Sequence, residues 1–92
     1  MSNESRPPVH LLVVEDDAEL CGVVAAHFRR LGARGTAAGT GEEGLARAAG
    51  ARFDVALLDL HLPGISGLDV LAALKERQPE LEAILLTAHS SV

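Results

Sequence analysis

Aromatic residues are nearly missing from this sequence: Phe28 and Phe53 are the only two, and there is no Tyr or Trp. A surface so poor in aromatic rings has no platform on which bases could stack. Lys and Arg together number 8 against 13 Asp and Glu, for a net charge of −5. No basic cluster offsets that balance, so direct nucleic-acid binding by this segment is not expected. Cysteine occurs once, at Cys21. A secreted domain of this size usually carries paired cysteines, and a lone one reads as a small buried hydrophobe. Long apolar runs are also missing, since Leu11 to Val14 and Val55 to Leu58 are far too short to span a bilayer. The opening Met-Ser-Asn-Glu-Ser-Arg-Pro-Pro has no apolar stretch of the kind a secretory signal needs. A cytoplasmic location without membrane contact is the expectation.

What is present suits one small globular domain: 92 residues, 48% hydrophobic and 23% charged. Residues 1–8 read as a polar lead-in, with Pro7-Pro8 blocking helix or ladder pairing, and 9–92 as the domain. His10 to Val14 is a strand candidate that runs into Glu15-Asp16-Asp17. Leu20, Val23, Val24, His27, Phe28 and Leu31 recur at helical spacing, predicting a helix capped by Asp16 or Asp17 and stopped at Gly32. Arg34 to Ala38 is a weaker strand of small residues. Thr40 to Glu43 fits a capping box and opens a second helix ending near Gly50. Phe53 to Leu58 is the strongest strand signal, and Asp59 ends it. After a turn over Leu62 to Gly67, Ser66 and Asp69 cap a third helix marked by Leu68, Leu71 and Leu74 and closed before Pro79. Ala83 to Leu86 is a fourth strand, followed by Thr87.

Strands alternating with helices imply a parallel sheet, with helices wound on both faces. Every strand then ends on the same edge, where open α/β folds bind ligands. Glu15-Asp16, Asp59 and Thr87 all lie at strand ends. Carboxylates brought together repel and bind protons more tightly unless a cation intervenes. Hard oxygen ligands of this kind suit Mg²⁺, which often joins carboxylates to phosphate oxygens.

Three segments carry a specific resemblance: Leu-Leu-Val-Val-Glu-Asp-Asp17, Ala-Leu-Leu-Asp-Leu-His-Leu-Pro-Gly-Ile-Ser-Gly67 and Ile-Leu-Leu-Thr-Ala-His89. In order and spacing they are similar to the receiver domains of two-component response regulators, the CheY-like superfamily. The resemblance implies a flavodoxin-like fold with Asp59 as phosphoacceptor. It implies that Glu15 and Asp16 hold Mg²⁺ together with Asp59 and the backbone carbonyl of His61. It places Thr87 as the switch hydroxyl and Ala88 as the small residue that leaves room for phosphate. The implied donor is a sensor histidine kinase or histidine phosphotransfer protein. Such a domain is a phosphoacceptor that assists its own phosphorylation and dephosphorylation, rather than an enzyme. The ending also resembles the receivers of NtrC-like activators, which points to a transcription-regulating output, although hybrid kinases share the same ending and the output itself is not read from this segment.

A complete receiver continues past Val92 with two further helices, a fifth strand and a Lys that contacts the phosphoryl group. Against that pattern, this chain reads as truncated after its fourth strand. Inefficient phosphorylation is then expected, because one positive charge on the phosphoryl group is missing. The expectation for the sheet is a marginal monomer, or self-association through the incomplete edge. His61 and His89 flank the site. They read either as plain exposed loop residues or as groups whose charge modulates it. His10 and His27 read as structural.

Two other functions fit parts of the sequence. One is a binding or dimerisation module without phosphotransfer. The other is a dinucleotide site, because Gly39, Gly41 and Gly44 match G-x-G-x-x-G. Glu42 and Glu43 argue against the second, since they would sit where a pyrophosphate needs positive potential.

Overall fold

The computed structural model describes residues 8–86. Four strands, β1 (His10–Val14), β2 (Arg34–Ala38), β3 (Val55–Asp59) and β4 (Glu82–Leu86), alternate with three helices, α1 (Ala18–Arg30), α2 (Gly41–Gly50) and α3 (Gly67–Arg77). All strand pairs are parallel, in the order β2-β1-β3-β4. The expected doubly wound α/β architecture is therefore present. From β1 the chain crosses to β2 on one side, then returns past β1 to β3. The sheet order reverses between β1 and β3, and open α/β sheets place their ligands outside the carboxyl ends at such a point.

Each helix begins with a side chain that satisfies a backbone donor, as the sequence patterns required. Asp17 rather than Asp16 caps α1, its Oδ1 accepting from Leu20 N at 3.1 Å. Thr40 Oγ1 accepts from Glu43 N at 3.0 Å, and Ser66 Oγ accepts from Asp69 N at 3.2 Å. Glu43 reaches one residue further back than a capping box predicts, taking the N–H of Gly39 at 2.9 Å. That bond and Arg47 beside it hold the Glu43 carboxyl below the usual carboxylate range. After α1 the chain turns at Gly32, whose φ of 96° lies where only glycine is unstrained.

The core has two layers. Leu12, Val14, Ala56 and Leu58 point to the face covered by α2 and α3, where Phe53, Val70, Leu74 and Leu81 complete the packing. Leu11, Val13 and Leu57 point to the other face, against Cys21, Val24 and Phe28 of α1. Fully buried leucines such as Leu12 and Leu74 each contribute about 1.5–3 kcal/mol by leaving water. On the α1 side of the edge strand, Ile84 remains 51% exposed.

Two helical faces differ from the sequence reading. In α1 the inward residues are Cys21 and Ala25, with Val24 and Phe28 half-buried, whereas Leu20, Val23, His27 and Leu31 face out. In α3, Val70 and Leu74 are buried but Leu68 is exposed. β3 also begins two residues later than expected. Phe53 lies before it as a core plug, with the His10 ring 4.3 Å from its own.

The dinucleotide reading of the glycines does not survive the packing. A Cβ on Gly41 would lie closer than 3.0 Å to Ile65 and Val70, and one on Gly44 would meet Val14 Cγ2 at 2.9 Å. These two glycines let α2 seat against the sheet and α3, and are buried rather than open to a pyrophosphate.

At the amino edge of the sheet one side chain ties three backbone groups. Gln78 Oε1 accepts from Phe53 N at 2.9 Å, while its Nε2 donates to Ala48 O at 3.0 Å and Ala51 O at 2.9 Å. The clamp joins the end of α2, the entry to β3 and the exit of α3. Gln78→Ala would leave a partly buried donor and two carbonyls to find new partners, for a loss of about 2–3 kcal/mol. For a domain of this size that is a fall of about 10–20 °C in thermal midpoint, read by calorimetry.

Candidate phosphoacceptor site

The first carboxylates arrive where β1 ends. Glu15 continues the strand by one residue, its N–H bonding Ala38 O at 3.0 Å, and its side chain is only 4% exposed. Asp16 is exposed beside it. Asp17 has a second role beyond capping α1: its N–H donates to Glu15 Oε2 at 3.1 Å. The start of α1 therefore holds the Glu15 side chain in place.

From the neighbouring strand, β3 delivers Asp59 at its last position, 1% exposed. Leu60 N bonds Leu86 O at 3.1 Å, so the turn after β3 is tied to β4. His61 N–H then donates back to Asp59 Oδ1 at 3.0 Å, which fixes the plane of that carboxylate. The His61 ring is exposed. One carboxylate oxygen each from Glu15, Asp16 and Asp59 lies within 4.8 Å of the other two. The sequence reading thus named three residues that the fold does bring together, from two non-consecutive strand ends. Its reading of Thr87, Ala88 and His89 falls on positions outside the described residues.

Two contacts were not foreseen: the Asp17 N–H on Glu15 and the His61 N–H on Asp59. The first had a partial signal, because an N-cap must stand directly after the acidic pair. The second had none, as it depends on the turn geometry.

Three acidic groups in so small a space set the electrostatics. Burial pushes the Glu15 carboxyl above its ordinary value. The Asp17 N–H opposes this, while the Asp59 charge and hydrogen bonding with Asp16 and Asp59 reinforce it. The donor set fits a hard divalent cation: all ligand atoms are carboxylate oxygens, and two of the three groups are buried. Raised proton affinity in the fold has a definite sign. Glu15 contributes stability below its unfolded value, and loses that contribution as pH rises through its folded value. Without divalent cations, Glu15→Gln is therefore expected to stabilise the chain at pH 7, by on the order of 1 kcal/mol. The gain should vanish near pH 4 in urea titrations run at both pH values.

Comparison with known proteins agrees with this geometry. Residues 11–92 match the family described as the response regulator receiver domain. The transcriptional regulatory protein TcrX of Mycobacterium tuberculosis is 44% identical over all 92 residues, and the chain spans 39% of that relative's length. A CheY-like receiver from Methanospirillum hungatei superposes with a TM-score of 0.87 at 27% identity, over 94% of this chain and 69% of that one. The response regulator TrrA of Thermotoga maritima, solved in complex with Mg²⁺-BeF, gives 0.82 at 32% identity, over 89% of this chain and 71% of that one. With nearly all of its length matched, and with acidic side chains gathered at the carboxyl edge of a parallel sheet, the chain belongs to the response regulator receiver domain family.

Proposed function

We propose that Asp59 accepts a phosphoryl group from a phosphohistidine on a sensor histidine kinase or histidine phosphotransfer protein. The observation that carries this reading is the convergence of buried Asp59 with Glu15 and Asp16 at the carboxyl ends of β1 and β3. A carboxylate oxygen of Asp59 would attack phosphorus in line. The phosphorus–nitrogen bond of the donor breaks, its electron pair stays with the imidazole, and an acyl phosphate remains on Asp59. Glu15, Asp16 and Asp59 are the residues that would hold Mg²⁺, with the His61 carbonyl added from the family pattern. When bound, Mg²⁺ supplies positive charge against the transferring oxygens. Asp17 and His61 contribute through their N–H groups, which keep the Glu15 and Asp59 carboxylates oriented before the donor arrives.

In this reading Thr87 hydrogen-bonds the phosphoryl product and Ala88 leaves it room, as in the family. The domain is a phosphoacceptor that assists its own chemistry rather than an enzyme acting on others. It works in the cytoplasm and passes the charge change on Asp59 to a transcriptional output, the role the name of TcrX carries.

Beryllofluoride with Mg²⁺ tests the reading. Amide resonances of residues 15–17 and 59–61 should shift on addition, and Asp59→Asn should abolish the response. A folded chain that does not respond would instead be a binding module without phosphotransfer.

A further inference from the structure

Gly67, the first residue of α3, sits against backbone rather than side chains. A Cβ built on it would lie closer than 3.0 Å to the Asp59 carbonyl oxygen, 3.0 Å from Leu60 Cα and 3.2 Å from Asp59 C. Real Cβ atoms essentially never approach another atom more closely than 3.0 Å. The far end of a flexible side chain could swing aside, but a strand end cannot. Asp59–Leu60 is held on its far side by the β3–β4 pairing and by the Leu60 N–H on Leu86 O. Any side chain at 67 must therefore drive apart the start of α3 and the strand end that carries the acceptor.

The intervening loop has little slack to absorb such a shift. Leu62 is 8% exposed in the α2–α3 core layer, and Ile65 packs against the same layer and abuts Gly41. Ser66 is committed to the α3 cap through Asp69 N. With Asp59 and Leu60 held by β4 and the loop held by its packing, the strain falls on the junction at residue 61. There, the His61 N–H orients the Asp59 carboxylate.

We propose that Gly67 is a positioning residue for the phosphoacceptor. By omitting a side chain it lets α3 abut the Asp59–Leu60 backbone, and that contact closes the 59–61 turn so that the His61 N–H reaches Asp59. This rests on the reading of Asp59 as the acceptor beside a Mg²⁺ site, and deepens it. Gly67 touches none of the reacting atoms; it acts on them through the backbone it braces.

Gly67→Ala in the full chain tests this with two readouts: hydrogen-exchange protection of the His61 amide in metal-free buffer, and Mg²⁺ affinity by calorimetry. Gln78→Ala serves as the control, because it lowers stability from the other edge of the sheet. The expected result is at least a tenfold loss of His61 protection beyond any change in global stability, and at least a tenfold weaker Mg²⁺ affinity. Gln78→Ala should leave Mg²⁺ affinity within twofold of the parent. If Gly67→Ala does not fold in plain buffer, all three proteins are compared in trimethylamine N-oxide, which favours the compact state. Unchanged His61 protection relative to global stability would overturn the proposal, as would a loss of Mg²⁺ affinity no larger than that of Gln78→Ala. A parent chain that binds no Mg²⁺ would refute the acceptor reading instead, and His61 protection alone would then decide the role of Gly67.

Discussion

Asp59→Asn is expected to reduce phosphoryl incorporation from a phosphohistidine donor to background while making the metal-free protein more stable. The first effect follows from chemistry. An amide has no anionic oxygen to attack phosphorus, and Glu15, although nearby, is held by the Asp17 N–H at the end of a different strand. The second follows from repulsion. The Asp59 charge is one of the causes that push the Glu15 carboxyl up, so the two groups repel. Replacing Asp59 with a neutral residue of the same shape removes that repulsion, an effect on the order of 1 kcal/mol, while the amide oxygen can still accept from His61 N. Radiolabel transfer reads the first effect and urea unfolding the second. Loss of labelling together with loss of stability would mean that the variant is damaged, and that Asp59 is a structural carboxylate.

Removing the exposed member of the acidic pair should weaken Mg²⁺ binding without touching the core. At about 4 Å, a divalent ion and a carboxylate interact by about 2 kcal/mol even in a medium as polarisable as water. Asp16→Ala is therefore expected to lower Mg²⁺ affinity about 30-fold in calorimetric titration, with little change in metal-free stability. Proton competition adds a second signature. Because Glu15 holds its proton more tightly than an ordinary carboxyl, Mg²⁺ must displace that proton as pH falls. Affinity should therefore drop as pH is lowered, at a higher pH than an ordinary carboxyl would require, with protons released on binding. Equal affinity for parent and Asp16→Ala would remove Asp16 from the ligand set.

Much of this site could be read from the sequence, because its key residues stand at places that local rules mark. Glu15-Asp16 follow an apolar run directly, Asp59 ends the strongest one, and parallel connectivity forces both strand ends to one edge. Which helical face turns inward was less legible. Cys21 is buried, as its reading as a small hydrophobe expects, but large residues suggested Leu20, Val23 and Leu31 for the rest of the α1 face, where the structure buries Ala25. The cause lies in the partner strand. A Cβ on Gly35 of β2 would already be 3.4 Å from Ala25 O and 3.5 Å from Ala25 Cβ, so the helix lies too close for bulk. Residue size cannot be assigned to a face until that separation is known. The same applies to α3, where Gly67 and Val70 serve the close contact and Leu68 is left outside. The dinucleotide pattern misleads for a related reason, since Gly41 and Gly44 answer a need for close packing rather than a need for anion-facing N–H groups.

The location of the Gln78 clamp also bears on how a domain like this can diversify. The five-residue strands separate it from the carboxylates by about 16 Å, beyond the range at which substitutions usually interact. Mutations that retune loops after β1 and β3 for a new signalling partner can then be tolerated one at a time. Any stability they forfeit can be recovered around Gln78 without revisiting the chemistry.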